Sequence, residues 1–148
     1  MKLSALYQIF LDCQSVTTDS RNCPDGSLFI ALKGESFNGN AFAKLALDSG
    51  CAFAIIDEIQ YAIEGDQRYI LVDDCLQTMQ QLANYHRRQL GTRVIGITGT
   101  NGKTTTKELI SSVLCQAHNV LYTLGNLNNH IGVPTTLLRL KPEHDLAV

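Results

Sequence analysis

The chain has 148 residues and a formal net charge of −2, with 45% hydrophobic and 18% charged residues. A chain of this size and balance can bury the core of one domain or of two small ones. The near-neutral charge offers no basic surface for nucleic acid or an anionic membrane, and the apolar stretches are too short to span a bilayer. No secretory cleavage pattern follows the N-terminal residues, so a cytoplasmic protein that binds neither nucleic acid nor membrane is expected.

The first half of the chain alternates short strands and helices. Hydrophobic periodicity predicts helices over 2–11 and 41–49, a short strand running into a loop over 16–21, and strands over 27–32, 52–56 and 69–72. Pro24 and Gly26 supply a tight turn before the second strand, and Gly50 is placed to end the second helix.

The second half begins with a long helix over 76–90, which Gly91 ends. The order that follows is a strand over 93–97, a glycine-rich loop, a helix over 107–114, a strand over 119–123, a second loop and a helix over 135–140. The last residues begin a further strand, so we expect the chain to be a fragment of a longer protein. Alternation of this kind predicts an α/β fold with parallel sheets and ligands at the carboxyl ends of the strands. A domain boundary is predicted between residues 75 and 76, giving domains over 1–75 and 76–148.

The cysteines indicate no metal or redox site. They are odd in number and none has C-x-x-C spacing, so free thiols are predicted. The five are Cys13, Cys23, Cys51, Cys75 and Cys115.

The run 96–106, here named the phosphate loop, is typical of a nucleotide triphosphate-binding loop, because it follows an apolar strand and leads into a helix. Its spacing is G-x-x-G-x-x-G-K-T instead of the plain G-x-x-x-x-G-K-[ST] pattern. Glycines let backbone N–H groups converge on phosphate oxygens, and the helix N-terminus favours negative charge. Lys103 is predicted to clamp the terminal phosphates as the catalytic residue, and the Thr104 hydroxyl to bind a phosphate-bound Mg²⁺. The residues assigned to the nucleotide are Gly99, Thr100, Asn101, Gly102, Lys103, Thr104 and Thr105.

A second polar loop, over 124–130, follows the next predicted strand and is named the second loop. Asn126, Asn128 and Asn129 are either turn formers, since Asn tolerates left-handed backbone, or substrate contacts beside the phosphate loop. His130 carries the same two interpretations.

The segment 98–109 resembles the ATP site of the Mur ligase superfamily. The segment 125–134, which contains most of the second loop, is similar to the segment that distinguishes the branch of this superfamily that adds D-alanyl-D-alanine. Upstream, the segments 18–21, 26–32 and 34–39 are similar to the UDP-binding domain of the MurE and MurF branches. The three motifs occur in the family's order, and the resemblance covers essentially the whole chain.

The resemblance implies a three-domain, ATP- and Mg²⁺-dependent ligase of peptidoglycan precursor synthesis. It would join D-alanyl-D-alanine to UDP-N-acetylmuramoyl-tripeptide through an acyl phosphate, and a monomer is expected. This chain would hold an N-terminal α/β domain for the UDP-substrate and the opening part of a parallel-sheet P-loop ATPase domain. The residues it implies for substrate binding are Ser20, Arg21, Asn126, Asn128, Asn129 and His130.

Two alternatives remain open. Another Mur-type ligase, such as a MurE or a folylpolyglutamate synthase, would share the phosphate loop but lack the second-loop segment. The chain by itself is also compatible with a non-catalytic module that binds a nucleotide or a UDP-sugar, and the fragment alone is expected to be inactive as a ligase.

Overall fold

The computed structural model describes residues 2–148. The chain forms two compact units, the first ending at Leu82 and the second running from Ala83 to Val148. The division falls within a long helix, Cys75–Leu90. The functional boundary between residues 75 and 76 stays a prediction.

The first unit is built on a four-stranded sheet in which every neighbouring pair is parallel. Its elements are α1 (Leu3–Asp12), β1 (Val16–Thr17), β2 (Leu28–Ile30), a 3₁₀ helix (Gly39–Phe42), α2 (Ala43–Asp48), β3 (Phe53–Ile56), a second 3₁₀ helix (Ile59–Tyr61), β4 (Tyr69–Leu71) and the start of α3 (Cys75–Leu90). The strand order is β1-β2-β3-β4, with Leu28 paired to Val16 on one side and to Phe53 on the other.

The core of the first unit surrounds the two middle strands. All three residues of β2 are buried, as expected for a parallel strand covered on both faces. The i, i+1, i+4 spacing of Leu6, Tyr7 and Phe10 places them together on the buried face of α1. On α3, Met79 and Leu82 are fully buried.

The second unit contains a three-stranded parallel sheet whose middle strand is the last one in the chain. Its elements after α3 are β5 (Arg93–Val94), α4 (Lys103–Leu114), β6 (Val120–Leu121), α5 (Gly132–Leu137) and β7 (Leu146–Ala147). Leu146 pairs with Arg93 on one side and with Val120 on the other. Leu121, Leu140 and Ala147 form a small buried cluster, against which Leu90 and Leu137 pack.

The predicted α/β class with parallel sheets is confirmed, while several element bounds differ from the prediction. The strand predicted over 93–97 pairs only at Arg93–Val94, with one further hydrogen bond from Ile95 N to the Ala147 carbonyl at 2.8 Å. Beyond Ile95 the chain turns into the glycine-rich loop, so apolar character alone overestimated the strand. Helix α4 begins at Lys103, four residues before the predicted start, because a glycine in the left-handed region precedes it. Helix α5 begins at Gly132 and includes Pro134, which the first turn of a helix tolerates.

Over residues 2–148, no helix combines the length and the apolar character needed to cross a membrane.

Candidate functional site

The irregular part of the phosphate loop ends at Gly102, which precedes the first residue of α4. Gly102 has φ +76°, and a Cβ placed there would meet nothing within 4 Å. The backbone conformation, not the space around it, therefore demands glycine. The first N–H groups of α4 have no intrahelical acceptor, so this end of the helix favours an anion.

The Lys103 side chain folds back onto the loop that precedes it. Its Nζ donates to the Gly99 carbonyl at 2.5 Å and lies 3.4 Å from the Thr100 carbonyl. The side chain is half-buried, whereas Thr104 and Thr105 on the same turn are exposed. The ammonium therefore lies at the surface of the loop, where an incoming phosphate would compete with the two carbonyls.

A cleft of about 390 Å³ lies between the phosphate loop and the second loop, within the second unit. Gly99, Lys103 and Thr104 line one part of it, and Asn126 and Asn128 another. The two segments singled out from the sequence are thus brought together around one cavity. The predicted residues Thr100, Asn101, Gly102 and Thr105 belong to the same loop and helix turn but are not among the lining residues.

The second loop divides its asparagines between two positions. Asn126 and Asn128 lie at the cleft, and Asn128 N donates to the Asn126 carbonyl at 2.7 Å. Asn129 instead caps α5, since its Oδ1 accepts from Ile131 N at 3.1 Å and from Gly132 N at 2.7 Å. This contact favours the turn-forming interpretation for Asn129 over direct substrate contact.

His130 is exposed and is not among the residues that line the cleft. Substrate contact by all four residues stays a prediction, and Asn126 and Asn128 are the two of them that line the cleft.

Lys107 also lines the cleft, and sequence reasoning missed it. It lies one turn after Lys103, and its side chain is only 8% exposed. The sequence did contain one indication of its position. Lys107 follows Lys103 by four residues, and this spacing places both on one face of the helix after the phosphate loop.

Ser20 and Arg21, the residues assigned to the UDP end of the substrate, lie in the loop after β1 of the first unit. The Arg21 guanidinium donates to both oxygens of Asp19, from Nε to Oδ1 at 2.9 Å and from the terminal nitrogen to Oδ2 at 2.9 Å. Hydrogen bonds from the Arg21 side chain and backbone hold the pKa of the Asp19 carboxyl down, at about 2. The Arg21 side chain is 86% exposed, so its fork faces solvent while it is paired.

Among residues 2–148, no group of three or more His, Cys, Asp or Glu side chains is arranged to hold a metal ion. The cation contact predicted for Thr104, on the first turn of α4, stays a prediction.

Known proteins of similar sequence cover nearly the whole chain. The UDP-N-acetylmuramoyl-tripeptide–D-alanyl-D-alanine ligase of Bacillus subtilis (strain 168) is 46% identical over 133 residues, which are 90% of this chain and 29% of that relative. The corresponding ligase of Escherichia coli (strain K12) is 44% identical, again over 90% of this chain and 29% of the relative. The chain thus spans about three tenths of the length of the curated relatives it matches.

A solved structure has the same fold over almost all of the chain. Crystal structure I of MurF from Acinetobacter baumannii matches with a TM-score of 0.84 and 35% identity, covering 99% of this chain and 34% of that one. Two family models match consecutive parts of the sequence: the Mur ligase family catalytic domain over residues 12–87, and the Mur ligase middle domain over residues 97–148. The resemblance found in the sequence is therefore confirmed, and the chain belongs to the Mur ligase family.

Proposed function

We propose that this chain is part of a full-length ligase of peptidoglycan precursor synthesis in the cytoplasm. The ligase would use ATP to join D-alanyl-D-alanine to UDP-N-acetylmuramoyl-tripeptide. Residues 1–75 would bind the UDP-substrate, residues 76–148 would open the ATPase domain, and the ligase would act as a monomer. The observation that carries the proposal is the cleft in which Lys103 and Thr104 face the same cavity as Asn126 and Asn128. Further support comes from relatives 46% and 44% identical to this chain that are named for this reaction.

The nucleotide would bind with its phosphates at the N-terminus of α4. Backbone N–H groups of Gly99, Asn101 and Gly102 and of the first helix turn would surround the phosphate oxygens. Lys103 would exchange its contacts with the Gly99 and Thr100 carbonyls for the terminal phosphates, a small movement for a half-buried side chain. Thr100 and Thr105 lie on the same loop and turn, where their hydroxyls or backbone N–H groups would add contacts.

A Mg²⁺ ion would neutralise charge on the phosphates when bound. The exposed Thr104 hydroxyl on the first turn of α4 fits the usual threonine ligand of such an ion. Because magnesium in nucleotide sites is held by few protein groups and several phosphate and water oxygens, the lack of a carboxylate cluster among residues 2–148 is compatible with this role.

The chemistry requires a poor acyl donor to be activated. A substrate carboxylate oxygen would form a bond to the γ-phosphorus of ATP as ADP leaves. The amine of D-alanyl-D-alanine would then attack the acyl carbon, losing a proton as phosphate leaves. The carboxylate and the nucleotide are both negatively charged, so the role of Lys103 is to reduce their repulsion and to hold the transferred phosphate in line.

Ser20 and Arg21 would bind the uridine diphosphate end of the substrate, and Asn126 and Asn128 would contact its sugar or diphosphate. His130 would add a contact from the same loop, and Asn129 would add one through its amide nitrogen, because its Oδ1 already accepts from the start of α5. The planar fork of Arg21 suits two phosphate oxygens, and it is already aligned on the two oxygens of Asp19. A diphosphate would compete with that carboxylate for the same donors.

The test is a ligation assay on a full-length ligase that contains this chain. With ATP, Mg²⁺, D-alanyl-D-alanine and the UDP-tripeptide, we expect phosphate release that needs both peptide substrates and a product of the combined mass. Replacement of D-alanyl-D-alanine by a single amino acid that is ligated equally well would favour another Mur-type ligase. Nucleotide binding without phosphate release under any of these conditions would favour a non-catalytic module.

A further inference from the structure

Lys107 is a buried lysine at the cleft whose donors are all taken by neighbouring acceptors. Its Nζ donates to the Thr123 carbonyl at 2.5 Å and to the Gly125 carbonyl at 3.0 Å. The same nitrogen lies 2.7 Å from Glu108 Oε1. An ammonium has three N–H donors, so these three acceptors account for all of them.

The arrangement separates Lys107 from Lys103, which lies on the same helix one turn earlier. The contacts of Lys103 are with Gly99 and Thr100, both within its own loop. Lys107 instead reaches 16 and 18 residues along the chain to the start of the second loop. With its donors filled and its side chain 8% exposed, Lys107 is built to hold protein backbone and not to bind a phosphate.

The two carbonyls that Lys107 holds lie where the second loop leaves β6. On its other side, Thr123 N donates to the Val148 carbonyl at 3.0 Å, which fixes this point against the end of the sheet. Gly125 has φ +55°, a conformation that few other residues adopt without strain. The next residue, Asn126, already lines the cleft.

We propose that Lys107 is a positioning residue that ties the second loop to the phosphate-loop helix. The tie sets where Asn126 and Asn128 stand relative to Lys103 and Thr104. Replacing the ammonium by an apolar group would leave two partly buried carbonyls without a donor. Because unpaired buried carbonyls cost free energy, the loop would move so that water can donate to them. The consequence for the substrate rests on the proposed function of Asn126 and Asn128, whereas the tie itself does not.

Amide hydrogen exchange tests the tie in this chain without any ligand. In Lys107→Met, we expect exchange at Thr123, Leu127 and Asn128 to accelerate by about tenfold or more, the scale of losing hydrogen bonds from a charged donor. Lys103→Met is the matched control, with the same change one turn earlier, and should leave these three amides unchanged. Glu108→Gln, which alters only the half-exposed partner, should have a small effect.

Unchanged exchange at the three amides in Lys107→Met, or equal acceleration in Lys103→Met, would overturn the proposal. If the amides of the whole second unit lose protection in Lys107→Met, Lys107→Gln distinguishes loss of the tie from general loss of structure. Its side-chain amide keeps two donors on a shorter side chain. Acceleration confined to residues 123–128 in that variant supports the tie, and uniform acceleration across the unit contradicts it.

Kinetics on a full-length ligase test the consequence for the substrate. Lys107→Met should raise the KM for the UDP-tripeptide severalfold more than the KM for ATP, and Lys107→Arg, which keeps the charge and several donors, should restore part of the loss. A general loss of packing would lower kcat and raise both KM values together, which would count against a positioning role. Faster loop exchange with an unchanged UDP-substrate KM would retain the tie and refute the assignment of Asn126 and Asn128 to that substrate.

Discussion

Asn40 and Asp57 exchange two hydrogen bonds in the first unit. The Asn40 side-chain amide donates to Asp57 Oδ1 at 2.8 Å, and Asp57 N donates back to Asn40 Oδ1 at 2.9 Å. The other carboxylate oxygen accepts from Cys75 N, at the start of α3, at 3.2 Å. Lys33 completes the set, 3.1 Å from Oδ1, around an Asp57 side chain that is only 4% exposed. One carboxylate therefore joins the loop after β2, the end of β3 and the first turn of α3.

We expect Asp57→Asn to lower the free energy of unfolding of the first unit by about 2–4 kcal/mol, because an amide would turn a donor toward groups that are themselves donors. Burial alone would raise the pKa of the Asp57 carboxyl, but hydrogen bonds from Asn40 and Lys33 outweigh it and hold that pKa below its usual range. The stabilisation by the ionised Asp57 is thus present above about pH 4 and is lost as the pH falls through the lowered pKa. The difference in the free energy of unfolding between wild type and Asp57→Asn should therefore become smaller in acid.

Urea unfolding, monitored through hydrogen exchange at the strand amides of the first unit, measures this change in the free energy of unfolding. Asp48→Asn is the control, since Asp48 forms an exposed i, i+4 pair with Lys44 that is worth about 0.5 kcal/mol or less. An equal effect of the two substitutions would contradict the network.

Lys103→Ala in a full-length ligase should lower kcat by about 10²–10³, the usual effect of removing one oriented donor from developing negative charge. Thermal unfolding should be nearly unchanged, because the hydrogen bonds of the Lys103 side chain are to carbonyls of its own loop. Lys141→Ala, at an exposed lysine of the same unit, provides the control for loss of charge. Turnover within a few-fold of wild type in Lys103→Ala would refute the phosphate role.

Arg21→Ala should raise the KM for the UDP-substrate much more than the KM for ATP, because it removes binding remote from the reacting carboxylate. The chain supplies a matched control in Arg68, which pairs with Asp66 in the same manner two residues apart, at 3.0 Å and 2.7 Å. Arg68→Ala should leave both KM values unchanged. If the two variants behave alike, the pairing in the Asp19–Arg21 turn serves the fold alone.

The sequence predicted the α/β class and a glycine-rich loop between a strand and a helix, because both depend on local patterns, namely alternating apolar segments and glycines at fixed spacing. Three features escaped it because they depend on distant contacts. Asn129 could be seen as a turn former or a ligand, and only the position of Gly132 N shows that it caps α5. Lys107 gave no local sign that its partners lie at Thr123 and Gly125. The strand at 93–97 is short because the chain leaves the edge of the sheet after Ile95, which apolar composition does not record.

His86 makes the second unit sensitive to mild acid. It is 4% exposed, its Nε2 lies 2.9 Å from the Leu140 carbonyl, and burial lowers the pKa of its imidazole despite that hydrogen bond. As the pH falls, His86 therefore becomes protonated in the unfolded chain before it does in the folded chain. Its contribution to the free energy of unfolding is fully present above about pH 6.5 and declines below that pH, by up to about 1.4 kcal/mol per pH unit. Thermal unfolding of the second unit between pH 7.5 and 5.5 should show this slope and His86→Gln should flatten it. His118→Gln, at an exposed histidine, should not, and an unchanged slope in His86→Gln would refute the assignment.

Gly132→Ala should loosen the second loop by steric conflict. A Cβ at Gly132 would lie 2.6 Å from the carbonyl carbon and oxygen of Leu127 and 2.7 Å from its Cα, so backbone would have to move. Overpacking of this kind costs about 1–3 kcal/mol, and Leu127 lies between Asn126 and Asn128, so the displacement should also raise the KM for the UDP-substrate. Gly96→Ala is the control, because a Cβ there meets nothing within 4 Å and the stability of the second unit should change by less than about 0.5 kcal/mol. Thermal unfolding and amide exchange at Leu127 distinguish the two variants. Equal stability in Gly132→Ala and Gly96→Ala would mean that Leu127 yields without cost, and the second loop would then not be fixed by its contact with α5.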